Sequence, residues 1–253
     1  MTLPAPSPEA LAHSQSLHAA IAREIDAGGG ISFARFMEMV LYQPGLGYYS
    51  AGARKFGAAG DFVTAPEMTA CFGRALARQV AQVMGVSAPH ILEVGAGSGR
   101  LAADLLLELE KLEALPDYYD ILDLSADLRE RQQATLAAAA PHLLARVRWL
   151  DRLPDAFSGA VVANELLDAL PAHIVAWRES GIFERCVGID SHAGFTWNER
   201  PADGALLVAA EEIGRQCSLP PGYESEIGLA ARAWAAEWAH RLQCGALLLI
   251  DYG

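Results

Sequence analysis

Cysteine is scarce in this chain of 253 residues: Cys71, Cys186, Cys217 and Cys244 stand far apart at irregular intervals, with no C-x-x-C pair. That spacing excludes a dense disulfide framework and predicts reduced, mostly buried thiols. The seven histidines form no H-x-x-x-H pair and no Cys/His cluster, so no metal site is expected. Positive charge is scarce too. Against 31 acidic residues there are 19 Lys and Arg, a net charge of −12 with a pI near 5.0. Such a balance argues against a nucleic-acid partner or an anionic membrane surface and suits a basic peptide. No charge-free apolar run approaches about 18 residues, so no membrane span is expected. The opening Met1-Thr2-Leu3-Pro4-Ala5-Pro6-Ser7-Pro8 has neither a basic start with an apolar core nor an Arg-rich amphipathic pattern, which predicts a cytoplasmic protein. No internal repeat is visible.

What the chain has is apolar content, 52% of its residues, enough for one substantial core and a smaller appended subdomain. Its organising stretch is His90-Ile91-Leu92-Glu93-Val94-Gly95-Ala96-Gly97-Ser98-Gly99-Arg100, an apolar strand running through alternate glycines into a helix-forming run. A glycine-rich turn of this kind lets backbone approach a ligand and leaves the first N–H groups of the helix pointing at it. The period selects among nucleotide-type ligands. A dinucleotide fingerprint needs glycine where Arg100 stands, whereas G-x-G-x-G preceded by Glu93 favours S-adenosylmethionine over NAD. A phosphate-binding Walker loop and a nucleophile elbow at Ser98 are excluded by their own spacings. A plain strand-to-helix turn is the competing reading.

Tyr118-Tyr119-Asp120-Ile121-Leu122-Asp123-Leu124 reads as the next buried strand, ending on Asp123. An acid there can accept from both ribose hydroxyls of an adenosyl group, or serve as an ordinary strand-end acid. The strand Gly159-Ala160-Val161-Val162-Ala163 delivers Asn164 and Glu165 to the same edge, the best candidates for the acceptor side; each is otherwise a helix-entry residue.

Before this core, Leu17, Ile21 and Ile25 predict a helix ended by Gly28-Gly29-Gly30, and Ser32 caps a second helix that stops before Pro44. Glycines and aromatics from 44 to 67 suggest short strands or an ordered loop, followed by a helix capped by Thr69. From about 89 the pattern alternates: strand 90–94, helix 100–113, strand 118–123, helix 126–139, strand 146–150, strand 159–163. Helix 126–139, with Gln132 and Gln133, reads as packing alone. The order predicts an α/β, Rossmann-like parallel sheet with ligands at the carboxyl ends of its strands. Alternation over 172–200 predicts antiparallel strands, with helices near 203–214 and 224–242, so 172–223 reads as an inserted α+β subdomain. The expected division is a helical region and loop over 1–86 and a methyltransferase domain over 87–253. The final stretch Gly245–Gly253 reads as a buried strand.

Four ordered motifs resemble the MidA-like methyltransferases, bacterial proteins related to a mitochondrial assembly factor of respiratory complex I. They are Gly60-Asp61-Phe62-Val63-Thr64-Ala65-Pro66-Glu67, the stretch from Glu93 to Leu101, Asn164-Glu165-Leu166-Leu167-Asp168-Ala169-Leu170-Pro171, and Ile250-Asp251-Tyr252-Gly253. The resemblance covers nearly everything from about residue 30. It implies a class I S-adenosyl-L-methionine-dependent fold and a protein arginine as acceptor, in a complex I subunit. On this basis Glu93, Gly95, Ala96, Gly97, Gly99 and Asp123 would form the cofactor site, with Thr64 and Pro66 in its wall. Asn164 and Glu165, then Asp61 and Glu67, would face the acceptor. The family has a further C-terminal segment, so the sequence is expected to be an incomplete record, and a homodimer could complete its sheet. A non-catalytic assembly factor and a small-molecule methyltransferase remain as other classes, with a dehydrogenase behind them.

Overall fold

Residues 90–94 form a central strand because four of the five are buried, an apolar run interrupted only by Glu93, and strands covered on both faces read as runs rather than alternations. The structure, a computed structural model, describes residues 6–50, 64–123, 125–192 and 194–251. Contacts divide the chain into two units, one of them built on this strand.

In that unit β2 (His90–Val94) lies between β3 (Tyr118–Leu122) and β5 (Phe157–Asn164). Beyond them lie β4 (Val147–Leu150) and β10 (Leu242–Ile250), giving the order β10-β5-β2-β3-β4 with every pair parallel. Parallel strands need crossovers, and the helices α5 (Arg100–Lys111) and α6 (Ala126–Ala139) supply the first two. The chain leaves β2 toward β3 and later returns to its other side as β5, so the sheet reverses direction beside the carboxyl end of β2, where α/β proteins bind ligands.

Apolar side chains fill both faces. On one, Leu101, Leu105 and Leu109 of α5 join Val80 and Met84 of α4 (Ala70–Gly85) over Ile91, Tyr119 and Val162. On the other, Trp238 of α8 (Leu229–Arg241) packs on Phe157, Leu92 and Val161. The short α3 (Ala65–Met68) precedes α4, whose Thr69 cap accepts from the Cys71 N–H at 3.2 Å.

The second unit holds an antiparallel sheet of β6 (His173–Arg178), β7 (Gly181–Ile189), β8 (Phe195–Pro201) and β9 (Glu224–Ile227). The two-residue strand β1 (Ile31–Ser32) also pairs with β7. The helix α7 (Gly204–Cys217) lays Leu206, Ala209 and Ala210 on Val175 and Ile227. The helices α1 (Pro8–Gly28) and α2 (Phe33–Tyr42) bury Ile21, Ile25 and Met39 with Val187.

Three expectations change. Residues 224–227 are strand rather than the start of a helix: they pair with β6 and bury Ile227, and Gly228 separates them from α8. The strand β10 is half-buried to exposed, with Leu249 at 39% exposure, because among the described residues nothing pairs with its outer edge. Of the cysteines only Cys186 is buried, since Cys71, Cys217 and Cys244 sit on outward positions of helices and of β10; all four are free. None of the helices among the described residues is long and apolar enough to cross a membrane.

Candidate functional site

The turn between β2 and α5 is held in left-handed backbone at Gly95, Gly97 and Gly99, with φ of 73°, 53° and 82°. Side chains disfavour that region, which explains the alternate glycines. They do different work. A Cβ on Gly95 would lie 3.3 Å from the end of the Leu166 side chain, whereas one on Gly99 would lie 2.9 Å from the Gln132 Cα. Gly99 thus admits the backbone of α6, and Gly95 keeps open the space toward the loop after β5. Ala96 is buried in the core, so it offers the site its backbone only. Gly99 gives α5 no side-chain cap, which leaves the positive end of the helix at the turn; the Ser98 hydroxyl accepts from the Arg100 N–H at 3.3 Å.

Asp123 follows β3 directly, beside the turn. Its Oδ1 accepts from the Ser125 N–H at 3.0 Å and its Oδ2 from the Gln132 amide at 2.8 Å. The same Gln132 nitrogen donates to the Gly97 carbonyl at 3.2 Å. Arg129 donates to the Asp123 carbonyl at 2.8 Å. Glu93 is buried at 2% exposure and accepts from the Tyr119 hydroxyl at 2.7 Å.

Burial, reinforced by the charge of Asp123 and opposed by the Tyr119 hydrogen bond, pushes the Glu93 carboxyl up to about 7. The folded chain therefore keeps a proton on Glu93 that the unfolded chain releases near its ordinary 4.5. Between those values the native state binds more protons, so this group's contribution to stability falls as pH rises, and the loss is complete above about pH 7. Replacing Glu93→Gln is expected to flatten this segment of the stability profile and to leave the variant more stable than the parent at pH 8 by about 3 kcal/mol. Urea unfolding at pH 5 and pH 8 measures it; parallel profiles for the two proteins would refute the buried protonated state.

Asn164 ends β5 opposite Ile250 of β10, and the Glu165 N–H donates to the Ile250 carbonyl at 2.8 Å. Glu165 has φ of 49°, a left-handed conformation held by a residue other than glycine. Asp251 accepts from the N–H groups of Leu167 and Asp168 at 2.8 and 3.1 Å, and burial together with Asp251 raises the Asp168 carboxyl. Glu67 on α3 accepts from the Ser98 hydroxyl, so it contacts the glycine turn. Pro66 is buried and Thr64 is half-buried at the start of α3, without a capping hydrogen bond from its side chain. Asp61 lies outside the described residues.

Gln132, Tyr119, Ser98 and Asp251 join these residues through hydrogen bonds that the sequence pattern does not display. A glutamine in an alanine-rich helix carries no pattern, and Gln132 becomes informative only because it is fully buried at 0% exposure.

Residues 72–253 match the sequence profile of an S-adenosyl-L-methionine-dependent methyltransferase family. The chain belongs to that family. It is similar to a Burkholderia thailandensis protein whose crystal structure holds S-adenosyl-homocysteine: 47% identity over all of this chain and 66% of that one, with a TM-score of 0.90. A native crystal structure from Burkholderia thailandensis matches at 46% identity and a TM-score of 0.87, covering 100% of this chain and 65% of that one. Among curated proteins it is 28% identical to the mitochondrial protein arginine methyltransferase NDUFAF7 of Danio rerio, over 92% of this chain and 61% of that protein. The NDUFAF7 homologue of Drosophila melanogaster is 30% identical over 68% of this chain and 46% of its own length. The chain thus spans less than two thirds of each of these relatives.

The comparisons correct the expected cytoplasmic location, because the curated relatives are mitochondrial. Composition at one end of a sequence cannot report compartment. The residues present fit the family's cofactor: left-handed glycines bring the turn to a helix start without a side-chain cap, and a carboxylate oriented from both oxygens stands beside it.

Proposed function

We infer that this chain carries S-adenosyl-L-methionine-dependent methyl transfer to an arginine of a basic protein, a respiratory complex I subunit or a similar one. The single observation that carries the acceptor side is the left-handed backbone of Glu165 at the carboxyl end of β5. Strain held by residues other than glycine clusters at active sites and ligand clamps, which supports a use for this side chain at the end of β5. The family membership, the arginine methyltransferase relatives and the net negative charge of the chain support the reading.

When bound, the cofactor supplies an electrophilic methyl on a sulfonium, transferred by in-line displacement. The chain's own work is positioning and electrostatics. Gly95, Gly97 and Gly99, with Glu93, shape the cofactor pocket, and Asp123 accepts from the ribose hydroxyls. A guanidinium remains protonated below about pH 12, so it needs a carboxylate to orient it and to take its proton as the new N–C bond forms. Glu165 takes that role beside Asn164, with Glu67 and Asp61 as further candidates.

The test uses tritiated methyl donor with basic arginine-containing peptides and complex I subunits. The parent is expected to label arginine. Glu165→Gly relieves the backbone strain, so it should fold at least as well as the parent and keep cofactor affinity while transfer falls by about 100-fold or more. Full transfer by Glu165→Gly would reduce Glu165 to a backbone role. Cofactor binding without labelling of any protein would favour a partner-binding assembly factor, and labelling of small molecules alone would favour that class of acceptor.

A further inference from the structure

Gln132 is a fully buried amide on a helix otherwise rich in alanine. Its Nε2 donates to Asp123 Oδ2 at 2.8 Å and to the Gly97 carbonyl at 3.2 Å, while its Oε1 accepts from the Trp149 indole N–H at 3.0 Å. The orientation is not interchangeable. Rotating the amide by half a turn would face its oxygen toward a carboxylate and a carbonyl, neither of which donates, and set its NH2 against an indole that only donates. Trp149 on β4 therefore fixes the amide, and the amide ties the acid after β3 to the turn after β2.

A buried amide contributes little net stability over an apolar side chain of the same shape, so packing alone does not explain it. Its position has a second determinant. The Gln132 Cα stands where a side chain on Gly99 would go, 2.9 Å from the ideal Cβ, which brings the helix backbone against the turn. With the Ser125 N–H on the other oxygen, the plane of the Asp123 carboxylate is set by the protein itself.

We propose that Gln132 is a positioning residue for cofactor recognition: it orients the ribose-binding carboxylate of Asp123 against the glycine turn and is itself oriented by Trp149. The inference rests on the reading of Asp123 as the ribose acceptor.

The experiment compares the dissociation constants of S-adenosyl-homocysteine and its 2′-deoxyribose analogue by calorimetry, using the full chain and the variants Gln132→Met, Gln132→Glu, Trp149→Phe and Asp123→Ala. In the parent, the missing hydroxyl should weaken binding about 10-fold or more, the size expected for a hydrogen bond to a charged acceptor. In Gln132→Met that ratio falls to about 2-fold, because a carboxylate free to turn no longer distinguishes the ligands. Trp149→Phe moves it in the same direction by less. Gln132→Glu sets two carboxylates together, which can hydrogen-bond only by sharing a proton, so its affinity recovers toward pH 5 and is lost by about pH 8. Gln132→Met lacks that profile. A ratio kept at the parental value in Gln132→Met, whether affinity falls or not, would leave Gln132 a packing residue and overturn the proposal. If Gln132→Met does not unfold cooperatively, an unchanged ratio in Trp149→Phe overturns it instead. An unchanged ratio in Asp123→Ala identifies a different failure, that of the ribose assignment itself.

Discussion

Asp123→Ala is expected to weaken S-adenosyl-L-methionine binding by about 100-fold or more, with a folded protein remaining. A hydrogen bond to a charged acceptor contributes about 1.5–3 kcal/mol, and the carboxylate accepts from two ribose hydroxyls in the proposed complex. The same substitution takes the carboxylate acceptor from the Ser125 N–H and leaves the Gln132 amide only the Gly97 carbonyl, so the tie between the end of β3 and the turn is lost as well. Calorimetric titration with S-adenosyl-L-methionine, and with NADH as the control, measures it. Micromolar binding that survives the substitution would remove Asp123 from the cofactor site. A second readout comes free: the Asp123 charge helps raise the Glu93 carboxyl, so the fall in stability between pH 4.5 and 7 should become shallower in this variant.

Gly99→Val should have the largest effect on stability, about 4 kcal/mol or more. A left-handed residue with a Cβ costs about 1–2 kcal/mol before any contact is counted. Overpacking adds about 1–3 kcal/mol, and here the obstacle is rigid. The new Cβ would meet the Gln132 Cα at 2.9 Å and its carbonyl oxygen at 3.2 Å, and α6 can retreat only by breaking the amide's bonds to Asp123 and Gly97. Gly95→Ala offers the contrast. Its new Cβ meets only the Leu166 methyl, at 3.3 Å, and a flexible side chain can yield. Thermal unfolding should therefore rank Gly99→Val well below Gly95→Ala. Equal losses would mean that backbone strain alone sets the effect and that α6 does not press on the turn.

The parallel sheet could be read from the chain because each of its elements announces itself within a short window. Strand β2 has its apolar run, α5 has leucines at helical spacing, and the observed limits of α6 agree with those expected. The stretch 224–227 misled because four residues ending at a glycine carry little periodicity, and their strand state depends on pairing with β6. Exposure of β10 was hidden for a related reason: an apolar run predicts a strand, while burial depends on what lies on each side of it.

The candidate site divides along the same line. Glu93, the alternate glycines, Asp123, Asn164 and Glu165 could be nominated from order alone, since strand ends of a parallel sheet converge on one edge whatever fills the loops between them. What only the tertiary structure decided is which of them have partners and why. Gly99 is required by the backbone of Gln132 in α6, Glu67 reaches the turn through Ser98, and Glu93 holds a proton because the core buries it, against the opposing hydrogen bond from Tyr119. Periodicity and spacing are local properties that a sequence displays directly. Burial, backbone approach and the pairing of polar groups distant in the chain arise only when the elements pack, and those set both the charge of Glu93 and the orientation of Asp123.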